Sequence, residues 1–313
     1  MKVIIVCSGT KGEISPFIQD QMESLTKLGG IEFLLFQIKK KGLLGYLLHL
    51  TSLLKSIKQF KPDMIHAHYG LSGLLANLQR RVPVLTTFHG SDVNNKNILK
   101  WSKWAHRLSA ASIFVEESMM EKFKRHHKSY IIPCGVDLET FFPIPKPEAQ
   151  ENLGLQRKSL NILFSSDFGN PVKNYPLARK ACDIVEEKTG EKINLIEMKG
   201  LSRPLVNLFM NASDCALLFS FSEGSPQFIK EAMACNCPIV ATDVGDIKWI
   251  VGNIEGCFIS SSSVDDVADK VIYAMNYSKN IVRTNGRVRI KSLGLDSGSV
   301  ANRVLEVYRD FAK

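Results

Sequence analysis

Residues 214–245 constrain the fold more tightly than any other stretch. They open on an apolar run, Cys215-Ala216-Leu217-Leu218-Phe219, of the length and composition of a buried strand. Ser222, Glu223, Gly224, Ser225 and Pro226 then break the run with a turn. Pro226 suits the first turn of a helix, where a missing N–H costs nothing. Phe228, Ile229, Ala232, Met233 and Ala234 give that helix an apolar face. Asn236 can end it in the left-handed conformation, and Pro238 stops it from continuing. A second apolar run, Pro238-Ile239-Val240-Ala241, follows and breaks at Asp243-Val244-Gly245. The order is strand, loop, helix, strand.

Two carboxylates punctuate this unit. Glu223 lies on the loop at the carboxyl end of the first strand, and Glu231 lies two turns down the helix. The N–H groups of Gly224, Ser225 and the residues after them form a helix N-terminus fronted by small residues, which accepts a phosphate at close range. An anion bound there would have one carboxylate on each side, each able to accept hydrogen bonds from hydroxyls attached to it. A nucleotide-sugar has that shape, with a hydroxylated ribose, a diphosphate and a hydroxylated sugar.

Glu, seven residues, Glu, then Ala-Met-Ala-Cys-x-x-Pro-Ile-Val resembles the signature of the retaining glycosyltransferases of the large GT-B family (family 4, group 1). That family includes sucrose synthases and lipid mannosyltransferases. The resemblance extends to Asp63-x-x-His66-x-His68, to Thr87-Phe88-His89-Gly90-Ser91-Asp92 and to Ile132-Pro133-x-Gly135-Val136-Asp137. It implies an α/β fold of the GT-B type, two Rossmann-like doubly wound domains facing across a cleft. It implies that Glu231 holds the ribose, that Glu223 and His89 meet the donor sugar, and that Gly224, Ser225 and Pro226 line the donor. The family has an arginine after the first strand of its second domain and a lysine opening the next helix, gripping the diphosphate together. Lys173 matches the lysine; Asp167 stands near the place of the arginine. The family also has a further strand and helix between Met198 and Leu205, which this chain lacks.

At 313 residues the chain suits two domains, expected at 1–143 and 144–313. The Pro-rich segment Phe141–Pro147 is the expected hinge region. No apolar stretch reaches the ~18 residues of a spanning helix. The apolar start Val3–Cys7 is too short for a signal peptide. Seven scattered cysteines fit reduced thiols in a cytoplasmic protein, and Cys235 and Cys237 lack the partners for a zinc site. The net charge of +9 is uneven: through Phe142 there are 19 Lys and Arg against 11 Asp and Glu, a net of +8. That half is expected to meet an anionic partner, a membrane surface at the inner face or an acidic acceptor. No nucleic-acid motif accompanies the charge.

Leu43 to Phe60 carries leucines at helical spacing with Lys55 and Lys58 elsewhere. It reads either as a crossover helix over a parallel sheet or as a basic amphipathic helix on a bilayer, or as both if Leu53 or Phe60 faces outward. The Gly9-Thr10-Lys11-Gly12 turn after the first strand lets the backbone approach a diphosphate, with Gly12 as the donor-side residue. It is not Gly-x-Gly-x-x-Gly, so no nicotinamide dinucleotide site is expected. His66 and His68 alternate on one strand face, either lining a site or structural. No Asp-x-Asp occurs, so neither a metal nor a cofactor is expected; the nucleotide-sugar is a substrate.

The function expected is a retaining, metal-independent glycosyltransferase moving a sugar, UDP-linked by frequency in the family, to a hydroxyl on a glycan or lipid-linked saccharide. A nucleotide-sugar epimerase of the same architecture and a non-catalytic sugar-nucleotide-binding subunit are the alternatives.

Overall fold

Two all-parallel sheets carry the chain in this computed structural model, which describes residues 1–9, 14–40, 42–123, 128–155, 159–280 and 283–312. Gly12, and most of the turn around it, lies outside the described residues.

The first compact unit is Met1–Gly135 together with Ser297–Lys313. Its elements run β1 (Lys2–Ser8), α1 (Pro16–Lys27), β2 (Glu32–Ile38), α2 (Gly42–Leu47), α3 (Leu50–Phe60), β3 (Met64–His68), α4 (Gly70–Asn77), β4 (Val84–Phe88), α5 (Ser91–Asn94), α6 (Lys96–Leu108), β5 (Ala111–Phe114), α7 (Glu117–Glu121) and β6 (Lys128–Ile131). The sheet order is β2-β1-β3-β4-β5-β6. A parallel sheet buries both faces, and β1 shows how its alternation serves two cores. Val3, Ile5 and Cys7 face one cluster with Ile18 and Leu25 of α1, while Ile4 and Val6 face another with Leu53 and Ile57 of α3.

The second unit is Val136–Asp296. It contains α8 (Lys146–Asn152), β7 (Leu160–Phe164), α9 (Tyr175–Thr189), β8 (Ile193–Glu197), α10 (Arg203–Ala212), β9 (Cys215–Leu218), α11 (Gln227–Ala234), β10 (Ile239–Thr242), α12 (Ile247–Val251), β11 (Cys257–Ser260), α13 (Val264–Asn280) and α14 (Gly286–Ser292). Its sheet order is β11-β10-β9-β7-β8, five strands against six in the first unit. A short loop joins β8 directly to α10, as the missing strand–helix pair requires.

The last helix, α15 (Ser297–Phe311), returns to the first unit. Val300, Ala301, Val304 and Tyr308 recur at helical spacing and pack with the β1 face that also holds α1. Gly135 permits the return. A Cβ there would lie 2.8 Å from the Ser297 Cα.

Three expectations change. The compact units divide at Gly135–Val136 rather than at 143, and Ser297 onward belongs with the first. The segment expected as a hinge is fixed to the second unit: Phe141 is fully buried there, and the backbone N–H groups of Phe142 and Ile144 donate to Asn207 and Asn211. Leu43–Phe60 is two helices, with the His49 ring bonded back to the Gly45 carbonyl at 2.8 Å. Leu53 is fully buried and Phe60 packs at the core edge, so α3 is the crossover helix.

Tyr308 is fully buried, and its hydroxyl lies 2.6 Å from His66 Nδ1. Tyr308→Phe keeps the ring and orphans that nitrogen, so stability should fall by about 1–3 kcal/mol. A urea midpoint equal to wild type would contradict the assignment.

Candidate functional site

In the second unit the chain leaves β7 for β8 on one side, then crosses to β9 on the other. The carboxyl ends of β7 and β9 therefore flank the topological switch point, where open parallel sheets bind ligands. The loop after β7 ends in a 3-10 turn, Pro171–Lys173, whose Val172 N–H donates to the Asn170 side chain at 3.2 Å. The loop after β9 is tied to it by Phe221 N–H donating to the Val172 carbonyl at 2.9 Å. These ties bring Lys173 Nζ to 2.5 Å from Glu223 Oε1, and Ser220 Oγ lies 2.6 Å from the same oxygen. Both charged side chains are largely buried, 19% and 15% exposed. Lys173 is thus no solvated lysine. It precedes α9 and pairs with Glu223.

Gly224 is held from behind. Its carbonyl accepts from Asp246 N–H at 3.1 Å, and a Cβ on Gly245 would stand 2.2 Å from that oxygen. Gly245 also has φ +60, so the Asp243-Val244-Gly245 turn suits glycine twice over. Pro226 is the N-cap of α11 rather than its first helical residue, at φ −69 and ψ 124, and the helix is buried from Phe228 to Ala234. Asn236 closes the segment at φ +57, as expected. Ser225 Oγ is buried and has no hydrogen-bond partner among the described residues.

Glu231 sits on α11 with its side chain 12% exposed and Oε1 3.8 Å from Arg203 Nη1. Arg203 opens α10, and its guanidinium stacks 4.9 Å from the Phe141 ring centre. Sequence reasoning missed this arginine, looking for one after β7. The available signal was Arg203-Pro204, a cation at a helix start in an otherwise apolar segment. Asp167, near the place of the absent arginine, pairs with Lys199 at 2.7 Å.

The first unit gathers histidines. His66 is fully buried between Tyr308 and Thr87 Oγ1 and is structural. His68 Nδ1 lies 3.0 Å from His89 Nε2, and the two rings stack at 5.2 Å. Phe17 and Tyr69 flank His89 at 4.7 and 4.9 Å. Asp92 positions the loop, accepting from the N–H groups of His89 at 3.0 Å and Gly70 at 2.9 Å. Burial pushes the Asp92 carboxyl up to about 6 and drives the His68 imidazole down to about 3. Burial lowers His66 as well, with His68 and His89 adding repulsion. His68 is therefore neutral, and its ring is hydrogen-bonded to that of His89. Among the described residues no group of three or more His, Cys, Asp or Glu side chains could hold a metal ion.

Two parallel-sheet α/β units, the second with Lys173 paired to Glu223 at its switch point, define a doubly wound α/β fold. Residues 2–140 match the family described as Glycosyltransferase Family 4, and residues 168–276 match Glycosyl transferases group 1. The chain belongs to this family of GT-B glycosyltransferases, and it is a glycosyltransferase.

It is 26% identical over 248 residues to the putative teichuronic acid biosynthesis glycosyltransferase TuaC of Bacillus subtilis, covering 71% of this chain and 64% of that one. It is 27% identical over 307 residues to the UDP-Gal:alpha-D-GlcNAc-diphosphoundecaprenol alpha-1,3-galactosyltransferase of Escherichia coli, covering 83% and 79%. The fold matches sucrose-phosphate synthase from Thermosynechococcus elongatus with a TM-score of 0.79 at 16% identity, covering 99% and 98%.

The buried histidines fix a pH dependence. Unfolded, each ring takes up a proton near pH 6.5; folded, His68 does not until about pH 3. The stability gained by keeping it neutral is complete above pH 6.5 and is lost as the pH falls toward 3, at up to about 1.4 kcal/mol per pH unit. Asp92, raised from 3.8, acts oppositely, and its contribution is lost as pH rises from about 4 to 6. His68→Gln should flatten the fall of the urea midpoint between pH 6.5 and 5. An unchanged slope would contradict a buried neutral imidazole.

Proposed function

We propose that the chain transfers a hexosyl group from a UDP-sugar, with retention at the anomeric carbon and without a metal ion, to a hydroxyl of a lipid-linked or glycan acceptor. The pairing of Lys173 with Glu223 at the switch point, beside the start of α11, is the observation that carries this. Lys173 meets the diphosphate and the α11 N–H groups add to it, so that charge developing on the leaving phosphate is stabilised where it forms. Glu231, beside Arg203, accepts from the ribose hydroxyls. Glu223 and His89 hold hydroxyls of the donor sugar. The chain offers no clear nucleophile, so the acceptor oxygen attacks the anomeric carbon on the face the diphosphate leaves. The C–O bond to phosphate breaks, the new glycosidic bond forms, and the acceptor's proton passes to the departing phosphate oxygen. The relatives support the substrate classes. The Escherichia coli relative is named for UDP-Gal and a diphosphoundecaprenol acceptor.

The test is nucleoside diphosphate release from UDP-sugars with and without polyprenyl-diphosphate-linked saccharides, in EDTA. Acceptor-dependent release is expected. Conversion of the donor to its epimer, or binding without turnover, would overturn the proposal.

A variant series separates chemistry from folding. Lys173→Met should lower kcat on the order of 10²–10³-fold. It also removes the cation facing Glu223 in a largely buried site, at a cost of roughly 3–5 kcal/mol of stability. Lys173→Met/Glu223→Gln should regain most of that stability and none of the activity. Recovery of both together would make the pair purely structural.

A further inference from the structure

We propose that the face of the first unit formed by α2, α4 and α6 docks on the surface of an anionic lipid bilayer. The inference stands on observations separate from the donor site. An apolar groove of about 340 Å³ runs between these helices, lined by Leu43, Leu47, Leu78, Trp101, Trp104 and Leu108 among others. Beside it, Leu44 and Leu48 are 79% and 65% exposed, and Trp104 is 51% exposed. Exposed leucines and tryptophans clustered at one groove are costly in water and suit the boundary between headgroups and acyl chains.

Helix α6 shows why the partner is anionic. It has three faces. Ser102, Ala105 and His106 are buried inward. Trp101, Trp104 and Leu108, at spacings of three and four, face the groove. Lys96, Lys100, Lys103 and Arg107 fall on the third side and are all exposed. A second cavity shares Leu108 and is lined by the exposed Arg80 and Arg81.

The acidic residues decide the matter. From Phe33 to Val115 the sequence holds 12 Lys and Arg, and its only acidic residues are Asp63 and Asp92. Neither projects a free charge from this face. Asp92 is buried and bonded to backbone N–H groups, and Asp63 accepts from the Lys2 N–H at 2.6 Å. All three groove helices lie inside this stretch. A protein partner would ordinarily be met by charges of both signs. A cationic surface cleared of acids around exposed Leu and Trp fits anionic headgroups with acyl chains beneath. The apolar outward face thus lies on α2 and α6, not on Leu53 or Phe60 of α3.

The test is flotation of the purified full chain with vesicles of phosphatidylcholine alone, and of phosphatidylcholine with phosphatidylglycerol. Anionic vesicles should bind at least tenfold more protein at low salt, and the excess should vanish in 0.5 M salt, as expected for screened charge on the order of a 3–10 Å Debye length. Two variants, Leu44→Ser/Leu48→Ser/Trp104→Ser and Lys100→Gln/Lys103→Gln/Arg107→Gln, should each reduce binding at least tenfold at unchanged Tm. Lys180→Gln/Lys192→Gln, on the second unit, should bind like wild type. In Trp249→Phe, anionic vesicles should shift the remaining tryptophan emission to the blue. Equal binding to neutral and anionic vesicles, wild-type binding by either groove variant, or no emission shift would overturn the proposal. So would a dimer in sedimentation that the Leu44→Ser/Leu48→Ser/Trp104→Ser variant abolishes, since a second copy would then own the groove.

Discussion

The Lys173–Glu223 ion pair is the contact around which the switch-point loops of the second unit are arranged. Two largely buried charges do not persist without partners. Here the partner of each is brought in by sheet topology. Because β7 lies between β8 and β9, the loops that follow β7 and β9 emerge side by side. One backbone bond, Phe221 to Val172, sets their register, and Ser220 fixes the carboxylate. Gly245, with no side chain, leaves room for the Gly224 carbonyl to turn inward. The two loops are therefore held together by the protein's own contacts.

A second pairing, Arg203 with Glu231, sits on α10 and α11. The arginine that the resemblance placed after β7 is absent there, and the cation beside Glu231 comes from α10 instead. Asp167, near the expected place of that arginine, has its charge met by Lys199. In the first unit the same economy appears in a different form. His66 and His68 are kept neutral by burial, and their hydrogen bonds stiffen the strand ends from which His89 emerges.

Much of this was legible in the residues. The run from Cys215 to Gly245 declared its strand, turn, helix and strand because each breaker sits where only one local conformation suits it. Asn236 adopts the left-handed angle its position asked for. What could not be read were facts of long range. Arg203 and Glu231 are 28 positions apart, and no local pattern links them. The Pro-rich run at 141–147 has the composition of a linker, yet Asn207 and Asn211 pin its backbone from a distant helix. The break between α2 and α3 was hidden because leucines keep helical spacing across it. The outward set, Leu44 and Leu48, cannot be told from the inward set without the fold.

The central claim is that one activated sugar is gripped at two points of the second unit, its ribose by Glu231 and its sugar by Glu223. Equilibrium binding of UDP and of a UDP-sugar to each single carboxylate-to-amide variant tests it most directly. Glu231→Gln should weaken both ligands by a similar factor, since both carry the ribose. Glu223→Gln should weaken the UDP-sugar alone. If both variants weakened both ligands alike, or neither weakened either, the two carboxylates would not be dividing a nucleotide-sugar between them.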